Sequence, residues 1–168
     1  MGSRCSCGSA TIIPAEPTFL ESGPGVSVSG SGSEGDPYIV SRTGGDIVLV
    51  VQGPETEVEV GDGQYFFTVP ASLATTVITA VNATVPGGVS SSGAIDVQLT
   101  RRRAGSTVDV LTTKARIDAT ELSSTTGTVG VPNVANDDLN AYDILGVDVD
   151  AAGTDAAGLQ VVISYEYE

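Results

Sequence analysis

Gly30, Gly32 and Gly35 stand at G-x-G-x-x-G spacing directly after the alternating segment "VSVS". This is the written form of a dinucleotide-binding fingerprint, in which glycines open a helix whose N–H groups receive a pyrophosphate. That chemistry needs a βαβ unit, and the following residues deny it. Asp36-Pro37 comes at once. Pro37 biases Asp36 toward extended backbone, and Tyr38-Ile39-Val40 is rich in strand formers. The three glycines are therefore read as a loop joining "VSVS" to "YIVS", and no cofactor is expected.

The chain has no His. Ser-His-Asp and Cys-His catalysis fall away with it, as does any zinc site that needs imidazole. Cys5 and Cys7 are the only cysteines, so no disulfide framework is expected. In a strand they would face the same side, and three parallel chains would gather their thiols around an axis. Interchain disulfides or a thiolate metal site are then two readings, and an unmodified leader is the third. Asp148 and Asp150 share a strand face that alternates with a core-facing set, so a solvated face explains them fully and is favoured over a glycosidase pair. "DVDAAGTD" (148–155) departs from a calcium loop at Ala152 and has Leu159 where the closing Glu should stand. Asn136, Asp137 and Asp138 are a candidate surface cation site, with loop chemistry as the competing reading.

Arg101, Arg102 and Arg103 hold three of the seven basic residues. Two readings are open: pairing with an acidic face of a neighbouring subunit, or pairing within the chain. The net charge of −14, with no Lys or Arg beyond Arg116, argues against nucleic acid and anionic membranes as partners. The longest aliphatic run, Ile47–Val51, is far shorter than a membrane span, and no secretory leader is expected. Met1-Gly2 with Ser6 fits an acylation pattern and Asn82-Ala-Thr84 a glycosylation sequon; both motifs are short.

The elements that must position these residues are strands. Residues 1–53 are Gly-, Ser- and Pro-rich with short apolar segments, and are read as a docking or fibre arm with short β elements. Residues 54–168 are read as a β-sandwich surface module. "EVEV" puts Val58 and Val60 on one face; Gly61-Asp62-Gly63 then turns the chain so that "QYFFTV" returns with Tyr65, Phe67 and Val69 inward. Pro70–Ala74 fits one helical turn. Further inward sets are Val77, Val81, Ala83 and Val85; Ile95, Val97 and Leu99; Leu145, Val147, Val149 and Ala151; and Leu159, Val161, Ile163, Tyr165 and Tyr167. Val108–Leu111 and Ala115–Ala119 are shorter strands, and a long polar loop is expected from there to about Asn140. Seven or eight short strands with no helical period predict an all-β fold: an extended β-rich arm followed by a jelly-roll-like antiparallel sandwich.

"GVSVSGSGSEGDPYIVS" (25–41), after the Cys-x-Cys of "RCSCGSATI", resembles a segment of minor tail and fibre proteins of tailed bacteriophages, with the pattern G-[IV]-x-V-x-G-x-G-x-x-x-D-P-Y-x-[IV]. "GDGQYFFTVPASL", "STVDVLTTKARIDATELSS", "VANDDLNAYDILGVDVDA" and "GLQVVISYEYE" resemble, in that order, a sandwich module of phage particles. The resemblance implies a non-enzymatic virion structural protein of a siphophage with an actinobacterial host. It implies a homotrimer on the particle surface, made in the host cytoplasm. Its partners would be itself and other virion proteins, and a host-surface glycan or protein if it attaches. Gly30, Gly32, Gly35, Asp36, Pro37 and Tyr38 would serve docking or fibre formation, and Arg101–Arg103 the oligomer. A capsid decoration or head-fibre protein is the alternative, and a lectin or carbohydrate-active enzyme the third. Loops such as 86–93 and 120–136 have room for receptor contacts, but nothing in them names a ligand.

Overall fold

The computed structural model describes residues 26–31, 33 and 35–168. Cys5, Cys7 and Gly32 lie outside the described residues. The chain divides between Ser41 and Arg42 into two compact units.

In the first unit, β1 (Val26–Ser29) pairs with β2 (Ile39–Arg42), which runs to the boundary. The glycine stretch is the loop between them, as its composition predicts. Asp36 closes the loop: its carbonyl accepts from the Ser31 and Ser33 N–H groups, and its carboxylate accepts a second bond from Ser31 at 2.8 Å. Gly30 has φ +88° and lies against the Pro37 carbonyl, where any side chain would collide. Gly35, by contrast, borders open space.

The second unit holds β3 (Gly44–Glu57), β4 (Gly61–Thr68), β5 (Thr76–Thr84), β6 (Ser92–Arg103), β7 (Ser106–Asp109), β8 (Leu111–Thr113) and β9 (Ala115–Ile117). It continues with β10 (Val131–Pro132), β11 (Asp138–Leu139), β12 (Ile144–Thr154) and β13 (Ala157–Tyr167). One sheet has the order β11-β5-β13-β3, and the other β4-β12-β6-β7 with β9 also on β6. The pairs nest: β3 with β13, β4 with β12, β5 with β11, and β6 with β7, all antiparallel. A long hairpin rolled so that successive pairs fall alternately into two sheets gives this order, which is the jelly roll.

Between the sheets lies a continuous apolar core. Ile95, Val97 and Leu99 of β6, Leu145, Val147 and Val149 of β12, and Leu159, Val161 and Ile163 of β13 are all buried, as their alternation predicts. Burying each such side chain contributes about 1.5–3 kcal/mol. The helical turn predicted after Pro70 is a 3-10 turn at Ala71–Leu73 that inserts Leu73 into this core.

Four expectations change. The composition boundary at 53/54 falls inside β3; residues 44–53 belong to the sandwich because their aliphatic run pairs with β13. Gly61–Gly63 does not turn a hairpin. Val58–Val60 instead crosses between sheets, leaving Val58 buried and Val60 exposed. In β5, Ile78 rather than Val77 faces the core, because a bulge between the Ser164 and Tyr165 pairings adds one residue and flips the earlier half of the strand. Finally, the long polar loop contains β10 and β11, and β11 completes a sheet edge with only two residues.

The edge beside β6 is split: β7 pairs with its upper half and β9 with its lower half, while β8 leaves to pair with β10. Gln98 spans the gap with its own amide. Its Oε1 accepts from the Leu99 and Leu111 N–H groups at 2.9 and 3.2 Å, and its Nε2 donates to the Leu111 carbonyl at 3.2 Å. A buried side-chain amide here stands in for a missing peptide group of the ladder.

Candidate functional site

The alternation that buries Ile95, Val97 and Leu99 continues along β6. It places Arg101 and Arg103 on the core side and Arg102 on the outer face. Two residues then turn the chain into β7: Ala104 and Gly105 have φ +49° and +84°, the pair of positive values a type I′ hairpin requires.

On the inner side, the two guanidiniums tie β6 to the opposite sheet. Arg101 is buried; its Nη1 donates to the Asn136 and Asp138 carbonyls and to the Asp138 carboxylate. Arg103 grips Asp143 with a two-pronged bond, Nε to Oδ1 at 2.8 Å and Nη2 to Oδ2 at 2.6 Å, and reaches Asp138 Oδ2 at 2.8 Å. Asp143 is only 3% exposed and also accepts the Asn140 N–H. Burial alone would raise both carboxyls. The hydrogen bonds from Arg103, with Arg101 on Asp138 and the Asn140 N–H on Asp143, outweigh it and hold both below the usual carboxylate range. The Asp143 bonds hold Arg103 still more firmly protonated. Of the two readings of the arginine run, pairing within the chain is the one seen for Arg101 and Arg103. One defect remains: Arg101 Nε is buried without a partner.

Across the outer face the registers align residues in rows. Thr68, Ile144, Arg102 and Thr107 form one row; Phe66, Gly146, Thr100 and Asp109 form the next. The Arg102 side chain has no ion pair or hydrogen bond. Every other described cation has a partner: Arg42 lies over the Tyr165 ring and bonds the Gly44 carbonyl, Lys114 pairs with Asp150, and Arg116 pairs with Asp96 and Asp118.

Two open depressions meet at Arg102 and Ile144. One, of about 330 Å³, runs toward Phe66 and Asp148. The other, of about 490 Å³, runs toward Tyr142 and the β6–β7 turn. Phe66 is 65% exposed, yet its ring is tightly seated. A Cβ on Gly63 would stand 2.6 Å from Phe66 Cζ, and one on Gly146 would stand 3.4 Å from Cε1. The ring thus lies across two glycines with its other face in solvent. Tyr142 is 76% exposed and has φ +69°, an uncommon conformation for a side-chain-bearing residue. The Val69 carbonyl accepts its N–H, and the neighbouring Asp143 carbonyl accepts from Val69 N–H. Asp148 accepts the Gly63 N–H at 2.6 Å; partial burial pushes its carboxyl up, against that bond, with Asp62 and Asp150 adding repulsion.

The other predicted positions serve local structure. Asp148, Asp150 and Asp155 diverge to the Gly63 N–H, Lys114 and the Ser91 hydroxyl. Asn136 and Asp138 are occupied by Arg101 and Arg103. Among the described residues, no three His, Cys, Asp or Glu side chains are grouped to hold a metal ion. No described helix is long and apolar enough to cross a membrane.

Neither Phe66 nor Tyr142 belongs to a motif that marks a site in the sequence. Phe66 was within reach: with Tyr65 and Phe67 inward, parity sends it outward, and Gly146 interrupts the run of side chains in "ILGVDVDA". Tyr142 carries no such signal, because its position depends on a turn closed by Val69.

The fold is an all-β, antiparallel jelly-roll sandwich. Comparison with protein-family models, with curated proteins and with solved structures gives no match.

Proposed function

We propose that the chain is a structural protein of a tailed-bacteriophage particle, a minor tail or tail-tip/fibre component without catalytic activity. Its jelly roll is presented at the particle surface and contributes to host attachment. The N-terminal unit docks on other virion proteins, and the assembled form is a homotrimer. One observation carries this reading: a jelly roll is preceded by a separate two-stranded ribbon whose turn is built from Gly30, Asp36 and Pro37, the residues on which the resemblance rests. The strongly acidic balance suits a protein displayed at high local concentration, where like charge keeps copies from aggregating.

A reconstruction of the intact particle tests the proposal. Density for the jelly roll at the tail, around a threefold axis, is expected. Density on the head would make it a decoration or head-fibre protein, and absence from the particle would overturn the virion role.

A further inference from the structure

We infer that the outer face around Arg102 binds a neutral saccharide chain, with one sugar ring lying on Phe66, its hydroxyls bonded by Arg102, and the next unit reaching toward Tyr142. This deepens the attachment role proposed above and names the face and the ligand class.

The unpaired guanidinium is the first support. In a chain of −14 net charge a cation finds a carboxylate easily, and the other described cations each have a partner. Arg102 keeps its five donors free in a fixed fork, which suits adjacent hydroxyls or a carbonyl. The Thr107 hydroxyl stands beside it on β7, and Asp148 at the far end of the same depression uses only one carboxylate oxygen, for Gly63.

The second support is Phe66. Seated over Gly63 and Gly146, the ring loses little freedom when something lies on it. Its outer face is a prepared platform for the C–H face of a sugar. Third, the two depressions share Arg102 and Ile144, so the surface suits a ligand longer than one unit. Charge then selects among glycans: the acidic surroundings, Asp62, Asp109 and Asp148 among them, repel a polyanion. A protein partner fits less well, since a stable interface needs roughly 800 Å² per side with an apolar centre. The rows here are mostly threonine, aspartate and glycine.

The test is an amide NMR titration of the full chain at millimolar hexasaccharide, using glucose oligomers of α-1,4 and β-1,4 linkage and N-acetylglucosamine, mannose and galactose oligomers. At least one should shift the amides of Phe66, Arg102, Tyr142 and Gly146, with an affinity that hardly changes with salt. Arg102→Ala, Arg102→Lys and Phe66→Ser should each weaken it about tenfold, the two Arg102 variants without lowering the melting temperature, while Phe66→Tyr retains it. No shift with any oligomer, shifts confined to another surface, or full affinity in Arg102→Ala would overturn the site. A negative titration of a protein that is present on the particle removes the site and leaves the virion role. A positive titration of one absent from the particle does the reverse.

Discussion

Three consecutive arginines on β6 do two kinds of work. Arg101 and Arg103 are turned inward, where they clasp Asp138 of the opposite sheet and Asp143 of the turn before β12. Arg102, one pleat away, faces solvent and lines both depressions, one of which holds Phe66 and the other Tyr142. Residue type is identical and sequence distance is one, so the difference comes from the strand's period of two. An inward charge must be paired, because leaving its partner buried and alone is costly. An outward charge meets no such demand and is available to a ligand.

The clasp breaks most severely at Arg103. Arg103→Ala leaves the Asp143 carboxylate buried with the Asn140 N–H as its remaining bond, and should cost about 3 kcal/mol. In a chain of this size that lowers the melting temperature by roughly 6–12 °C, measurable by thermal denaturation. Gln98 sharpens the contrast from the other direction, since it sits on the outer face with Arg102 yet is structural. Gln98→Ala removes three bonds and strands the Leu111 N–H, so a loss of about 2 kcal/mol is expected in urea unfolding.

Acid tests the clasp without mutation. Asp138 and Asp143 have folded pKa values below their unfolded ones, so the unfolded chain binds more protons in that window. Their contribution is complete at neutral pH and is lost as pH falls from the ordinary carboxylate range through the folded values. Stability measured against pH should therefore drop on this limb in the wild type and drop less steeply in Arg103→Ala. The smallest effect is expected at the turn that follows the arginines. Ala104→Gly relieves a left-handed alanine and should stabilise by about 0.5 kcal/mol, seen as a slight rise in melting temperature with both faces of β6 unchanged.

Much of this arrangement is legible in the sequence. The inward parity of Ile95, Val97 and Leu99, carried four residues further, already assigns Arg101 and Arg103 to the core side. The loop reading of Gly30–Gly35 holds because Pro37 constrains the backbone locally. What is not legible is non-local. Asp138 lies in a segment too short and polar to read as a strand, and it becomes one only because β5 offers it an edge. The Ile78 register depends on a bulge against β13, and Gly63 has meaning only once Phe66 lies on it. Composition misplaced the domain boundary for a related reason: glycines and Pro54 surround the β3 aliphatic run, and its membership of the sandwich is decided by β13, over a hundred residues away.

The division of labour on β6 is tested most directly by measuring Arg102→Ala and Arg103→Ala side by side, for melting temperature and for saccharide-induced amide shifts. A crossed result is expected. Arg103→Ala melts several degrees lower and still binds; Arg102→Ala melts within about 0.5 kcal/mol of wild type and loses binding. A destabilised Arg102→Ala, or two variants that bind and melt alike, would mean that the strand's period of two does not divide the arginines between structure and binding.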